Sequence, residues 1–291
     1  MFKFIYILFV CTGIFLTNSN KLGYDFSKPT FNNNLPPVLN EISGLAIIDS
    51  TSIACVQDED GILFIYNIKS LTITQLHAFG LKGDYEGITL VNDVLYVLRS
   101  DGVLFEIKDY LSKKLKVKTY PTKIPAINNE GLCYDAINNR LLIGAKGKIN
   151  KDPSNKDARY IYSFDLKTKT LNQSPAFSFN IIDINLTAKM QGIKIPKKQN
   201  KKGESIEHGF KFNTSEIAIH PLTQQLFVLS ATDHALFVFN KNANLEYIEQ
   251  LNPTVFNKSE GLDFFRNGDM LISNEGQAHL PTLLRFNYMP K

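Results

Sequence analysis

Lys258-Ser-Glu-Gly-Leu-Asp-Phe-Phe-Arg-Asn-Gly-Asp-Met-Leu-Ile-Ser-Asn-Glu-Gly276 reads as an acidic turn, a strand, a tight turn at Asn267-Gly268 and a second strand ending in polar side chains. An Asn-Gly pair between two apolar runs is a strong local signal for antiparallel pairing. Looser copies begin at Glu41, Glu86, Glu130, Glu216 and Glu260, spaced 45, 44, 86 and 44 residues apart. A period of about 40–45 residues built from short strands marks a β-propeller, one four-stranded sheet per repeat. The expected fold is therefore all-β, a five-bladed propeller.

Within each repeat the second strand is an apolar run, at 52–56, 94–98, 140–144, 225–229 and 270–273. The third falls at 61–66, 102–107, 160–164, 235–239 and 282–286, and turn residues such as Asn138-Asn139 and Asp101-Gly102 separate the strands. Outer strands are more polar, as at 115–120 and 245–250, which suits an edge facing water. The last repeat has only three strands, while residues 24–35 precede the first repeat without a blade of their own. The N-terminal segment is expected to supply the missing outer strand and close the ring, since otherwise two strand edges stay unpaired. The 86-residue interval leaves too few residues for a comfortable sixth blade, so five blades with a long excursion near 181–214 are favoured over six. That excursion includes the basic run 194–202 and shows no strand periodicity.

The chain of 291 residues, 44% hydrophobic, is long enough for a large core, and 21 Phe with 12 Tyr supply its bulk in the absence of Trp. A net charge of +4 argues for no nucleic-acid partner. Residues 1–20 carry one Lys, a short apolar run and a polar end, the pattern of a secretory signal or an N-terminal anchor. Cys11 leaves lipid attachment open beside simple secretion. The propeller domain is placed at 21–291, the protein outside the cytoplasm (periplasm, cell envelope or secreted), and any membrane attachment at the N-terminus only. A monomer is expected. Cys55 and Cys133 fall in different repeats, which points to buried free thiols rather than a disulfide.

Innermost strands of a propeller begin at one rim of the central channel, and the connections after the second strands return to it. Two families of residues should meet there. One is Glu41, Glu86, Glu130, Glu216 and Glu260; the other includes Asp58, Arg99, Asp101, Lys146, Asn274 and Glu275. Two carboxylates about 5 Å apart repel by roughly 3 kcal/mol at an effective dielectric near 20. Either some hold protons or cations fill the mouth. Arg99 and Lys146 can neutralise part of the charge, and Ca²⁺ with the five glutamates as ligands can neutralise more, because it accepts six to eight oxygens in loose geometry. Zinc is disfavoured, since neither His nor Cys recurs at the rim. The glycine after Glu86, Glu130 and Glu260 allows close backbone approach.

Glu41-Ile-Ser-Gly-Leu-Ala46, Asp84-Tyr-Glu-Gly-Ile88, Leu98-Arg-Ser-Asp-Gly102, Asn129-Glu-Gly-Leu-Cys-Tyr134, Ser215-Glu-Ile-Ala-Ile-His-Pro221 and Ile272-Ser-Asn-Glu-Gly276 resemble the SdiA-regulated (YjiK-like) family over the whole chain from about Tyr24. The resemblance implies a five-bladed propeller distantly similar to NHL-repeat proteins, with a calcium site and no established activity. Glu41 and Glu216 depart from the pattern, each being followed by Ile rather than Gly. The leading expectation is a calcium-binding propeller that takes a small molecule or protein partner on its glutamate-lined face without chemistry. The alternative is a calcium-dependent hydrolase, phytase-like or lactonase-like, in which a rim carboxylate activates water beside Arg99, Lys146 or the run 194–202. Glu207-His208 is a minor candidate for an acid-base pair overhanging that rim. No Gly-x-Ser-x-Gly elbow, phosphate loop or dinucleotide fingerprint occurs.

Overall fold

Runs such as Ile53-Ala-Cys-Val56 and Leu95-Tyr-Val-Leu98 are apolar on successive residues, and successive side chains of a strand point to opposite faces. Sheets made of them must be covered on both sides. The computed structural model, which describes residues 22–126, 128–147 and 153–290, meets this need with five antiparallel blades standing around a channel. Blade I comprises Ile42–Ile47, Ser52–Gln57, Ile62–Asn67 and Thr72–Ala78; blade II comprises Tyr85–Val91, Val94–Arg99, Val103–Lys108 and Lys116–Pro121. Blade III holds Asn129–Asp135, Arg140–Ala145 and Ala158–Asp165, with an outer strand in two pieces, Thr170–Leu171 and Phe177–Asn180. Blade IV is Glu216–Ile219, Leu226–Ser230, Ala235–Phe239 and Leu245–Gln250. In blade V the inner strands Ser259–Phe264, Met270–Asn274 and Thr282–Phe286 are completed by Phe31–Asn34.

The core lies between blades rather than within any one of them. Ile53 and Cys55 leave one face of blade I to pack with Leu271 and Leu283 of blade V. Ala54 and Val56 leave the other face to meet Ile88 and Val97 of blade II. The remaining three interfaces repeat this arrangement, and the inner strands of blades I and V are themselves neighbours, so the ring is closed.

Closure by the N-terminal segment is as expected. Phe31 pairs with Arg285 and Asn34 with Thr282, and the pairing is extended by hydrogen bonds from Thr30 N to Arg285 O (2.8 Å) and from Leu35 N to Pro281 O (2.7 Å). Upstream, Tyr24 is buried and donates to the carbonyl of Gly268 at 2.5 Å, while Phe26 packs against Phe256 and Phe286. The accepting turn needs its glycine, for Gly268 has φ +91° and a Cβ there would fall 2.7 Å from the Tyr288 ring.

The excursion differs from expectation. It is not irregular throughout: Ile181–Met190 is an α-helix, and Lys197–Gln199 pairs with Ser205–Glu207 in a short hairpin. Asn180 caps the helix by accepting from Ile182 N at 2.8 Å, Asp183 lies in the first turn and Lys189 in the last. Ile184 and Ala188 are buried with Phe179, Phe210, Phe212, Phe237 and Phe239. The segment thus widens the apolar interface of blades III and IV. Cys55 and Cys133 are buried free thiols, as expected. The N-terminal signal or anchor and Cys11 lie outside the described residues, and no described helix is long and apolar enough to cross a membrane.

Tyr24→Ala is expected to cost about 3–5 kcal/mol of global stability, the usual loss for a large buried aromatic. Urea denaturation measures it. A loss below about 1 kcal/mol would show that residues 22–28 are an ornament rather than part of the ring's closure.

Candidate functional site

The mouth of the channel is set by a repeated irregularity in the innermost strands. Pairing between the first two strands jumps from Ile42 to Gly44 in blade I and from Tyr85 to Gly87 in blade II. It jumps likewise from Asn129 to Gly131 in blade III and from Ser259 to Gly261 in blade V. The bulged residues, which have no partner opposite them, are Ser43, Glu86, Glu130 and Glu260. In blade IV, Glu216 stands opposite Leu229, where the other blades have glycine, so Ser215 occupies the equivalent place. Five glutamates were expected in the ring; the register makes it three glutamates and two serines. Two residues before each ring position stand Glu41, Asp84, Asn128, Asn213 and Lys258, a second tier at the rim.

Glycine follows the bulge because neighbouring inner strands almost touch. A Cβ on Gly87 would lie 2.7 Å from the Glu130 carbonyl and 2.8 Å from Leu132 Cβ. The same proximity brings the carboxylates together. Burial, then the neighbouring Glu130 charge, pushes Glu86 up to about 9. Burial also raises Glu130 to about 8, although Lys146 Nζ bonds Glu130 Oε1 and opposes the shift. Asp58 rises to about 7 through burial and the adjacent Glu41 and Glu275. Glu260 is raised by burial against the pull of Lys258, and the Ser215 hydroxyl bonds it across the blade boundary. Lys258 Nζ lies 2.5 Å from Glu275 Oε2 and 3.6 Å from Glu260 Oε1. At neutral pH, then, Glu86 and Glu130 hold protons and two ammonium groups share the remaining negative charge.

The other expected site residues divide clearly. Glu41, Asp58, Glu275 and Lys146 belong to the mouth. Arg99 does not join them: its guanidinium grips Asp101 with two bonds of 2.8 and 3.0 Å and lies 5.7 Å over the Phe105 ring. Asn274 is buried and fully engaged, accepting from Ser259 Oγ and donating to Val255 O and Thr282 Oγ1. Glu216 is buried beneath the ring, where its Oε1 accepts from Leu132 N of blade III (2.7 Å) and from its own strand at Ile217 N (3.0 Å). Burial drives its carboxyl well above the ordinary range against the pull of those two N–H groups, and the side chain ties blade IV to blade III. The basic run 194–202 and His208 stand on the exposed hairpin at the perimeter, with Glu207 paired to Lys189 at 2.8 Å.

Lys258 was not singled out in the sequence, although it stands two residues before Glu260 as Asp84 stands before Glu86. Among the described residues no group of three or more His, Cys, Asp or Glu is disposed to hold a metal ion. Glu130 Oε1 is bonded to Lys146 and Glu275 to Lys258, so calcium at these donors would require both lysines to withdraw. Among the described residues three carboxyl oxygens nevertheless remain buried without a partner, Glu130 Oε2 and Asp58 Oδ1 at the mouth and Glu216 Oε2 beneath it.

No family model and no curated protein matches the chain. Among solved structures, glutaminyl cyclase of Myxococcus xanthus superposes with a TM-score of 0.59 at 12% identity, over 89% of this chain and 95% of that one. Streptogramin B lyase gives 0.47 at 12% identity, over 88% and 98% respectively. At such identity the likeness to the cyclase speaks to the propeller architecture alone.

The carboxyl groups give the stability a defined pH dependence. Folded Glu86 and Glu130 keep protons that the unfolded chain releases near pH 4, so the folded state binds more protons from there up to pH 8–9. Stability therefore falls as pH rises through that window. The melting temperature is expected to drop by several degrees between pH 5 and pH 9, and Glu86→Gln should flatten the decline. A melting temperature that rises over this range would contradict the arrangement.

Proposed function

We propose that this protein is a non-catalytic binding propeller, exported on its N-terminal segment, whose carboxylate mouth takes a cationic group of a small molecule or protein partner. One observation carries the reading. Glu130 Oε2 and Asp58 Oδ1 are buried carboxyl oxygens of the mouth left without a hydrogen bond, and both become acceptors when their groups ionise. Leaving a buried acceptor unpaired costs about 1–3 kcal/mol, so a ligand that supplies the donor recovers that energy. An organic ammonium fits best: it can bond several carboxylates at once, and Lys146 and Lys258 already occupy the mouth in the same chemical form. The SdiA-regulated resemblance supports an assignment without turnover. Calcium is the second reading, favoured by the same two oxygens, and requires both lysines to withdraw.

The hydrolase alternative called for cationic side chains beside an ion at the mouth. Arg99 is engaged by Asp101, and the run 194–202 belongs to the perimeter hairpin, so only Lys146 answers that need. Export is supported by the Lys3 and apolar-run pattern, and the thiols, being buried, need no reducing compartment.

Calorimetric titration at pH 7 with spermidine and, separately, with calcium chloride tests the proposal. Spermidine is expected to bind with release of protons, because Glu86 and Glu130 must ionise to hold it, and the heat should vary with the ionisation enthalpy of the buffer. Glu130→Gln should weaken binding at least tenfold. Binding of calcium but not spermidine would support the second reading, and no binding of either would end both.

A further inference from the structure

The channel has a second end. Opposite the glutamate mouth, the finishing ends of the inner strands and their turns enclose a cavity of about 900 Å³. Small-molecule sites commonly span roughly 300–1,000 Å³. Ile47, Leu90, Ile219 and Phe264 contribute apolar surface to its wall. These side chains come from four different blades, so the lining is as rigid as the ring itself.

Two carboxylates line the cavity, Asp49 at its lip and Asp263 in its wall. Asp263 Oδ2 accepts from Ile47 N of blade I at 2.8 Å and its Oδ1 from Phe264 N at 2.8 Å. An ionised carboxylate can accept about four hydrogen bonds, so roughly two positions remain open. Burial, opposed by those two backbone N–H groups, pushes its pKa up to about 6, below neutral pH. Among the described residues no ammonium or guanidinium pairs with it, in contrast to Glu130 and Glu275 at the other end. Of the charged groups at the lip, Asp49 is held by Thr51 N and Ser52 N, and Arg285 by Asp269 at 2.6 Å. Arg266 stands exposed there and disfavours a second positive charge on anything that enters. A partly apolar cavity with a carboxylate lacking a cationic partner selects for a complementary molecule, since burying a charge is favourable only when it is met by an opposite one.

We propose that this basal cavity is a second binding site, separate from the mouth, for a small amphipathic amine. Its apolar body rests against Ile47, Leu90, Ile219 and Phe264, and its single ammonium bonds Asp263.

A matched probe series tests the assignment in the full chain: 1-naphthylmethylamine, 1-naphthylmethanol and 1-naphthoate, each titrated by calorimetry at pH 7.5. The amine is expected to bind at least tenfold more tightly than the alcohol, with the carboxylate weakest. Asp263→Asn should remove the preference for the amine while leaving affinity for the alcohol within about threefold. Should that variant fold poorly, Thr89→Phe fills the cavity while leaving Asp263 intact, and it is expected to abolish binding of both amine and alcohol. The series is repeated in the double variant Glu86→Gln/Glu130→Gln, which removes ammonium binding at the opposite mouth, and the Asp263-dependent preference for the amine is expected to persist there. The proposal is overturned if the three probes bind equally or not at all, if Thr89→Phe leaves amine binding intact, or if the mouth variant is the one that abolishes it.

Discussion

The molecule depends on the burial of both faces of every blade. Strands such as 53–56 and 95–98 carry apolar side chains on each side, so a single sheet of this composition would leave one hydrophobic surface in water. A closed ring solves this for every blade at once. It also forces the inner strands together, to the point where a methyl group on Gly87 would collide with the Glu130 carbonyl. The chemistry of both ends of the channel is a consequence of that crowding.

At the mouth, crowding sets the charge state. Carboxyl groups delivered by separate blades cannot all ionise at close quarters in a partly dry opening. The protein answers in three ways: Glu86 and Glu130 retain protons, Lys146 and Lys258 intervene, and serine replaces glutamate in blades I and IV. Glu216 shows the same pressure one step lower, where a buried carboxyl with a raised pKa binds the backbone of the adjacent blade. Asp263 performs the equivalent stitch from blade V to blade I, but from a place where solvent-sized space remains beside it.

Blade number, strand positions and N-terminal closure were legible because each rests on local signals. Apolar runs and turn residues repeat at fixed intervals, and the strand 245–250 falls as the pattern predicts. Ring membership was not legible, because a bulge shifts register without leaving a mark in composition. Glu41 and Glu216 keep the spacing of the repeat yet miss the ring position by two residues and one, while Ser43 and Ser215 hold it unobserved. Arg99 was misassigned for a different reason: a nearby Asp101 captured it, and which of several carboxylates wins a guanidinium is decided by side-chain geometry. The helix Ile181–Met190 escaped notice because only Ile184 and Ala188 are buried, too few to impose a clear period on its sequence.

The outer strand of blade V has a temporal consequence. Thr30 and its partner Arg285 are 255 positions apart, so this contact becomes available only near the end of synthesis of the described chain. Until then blades I to IV form an open arc with a bare apolar flank at each end. Closing so long a loop is slow relative to forming the local hairpins.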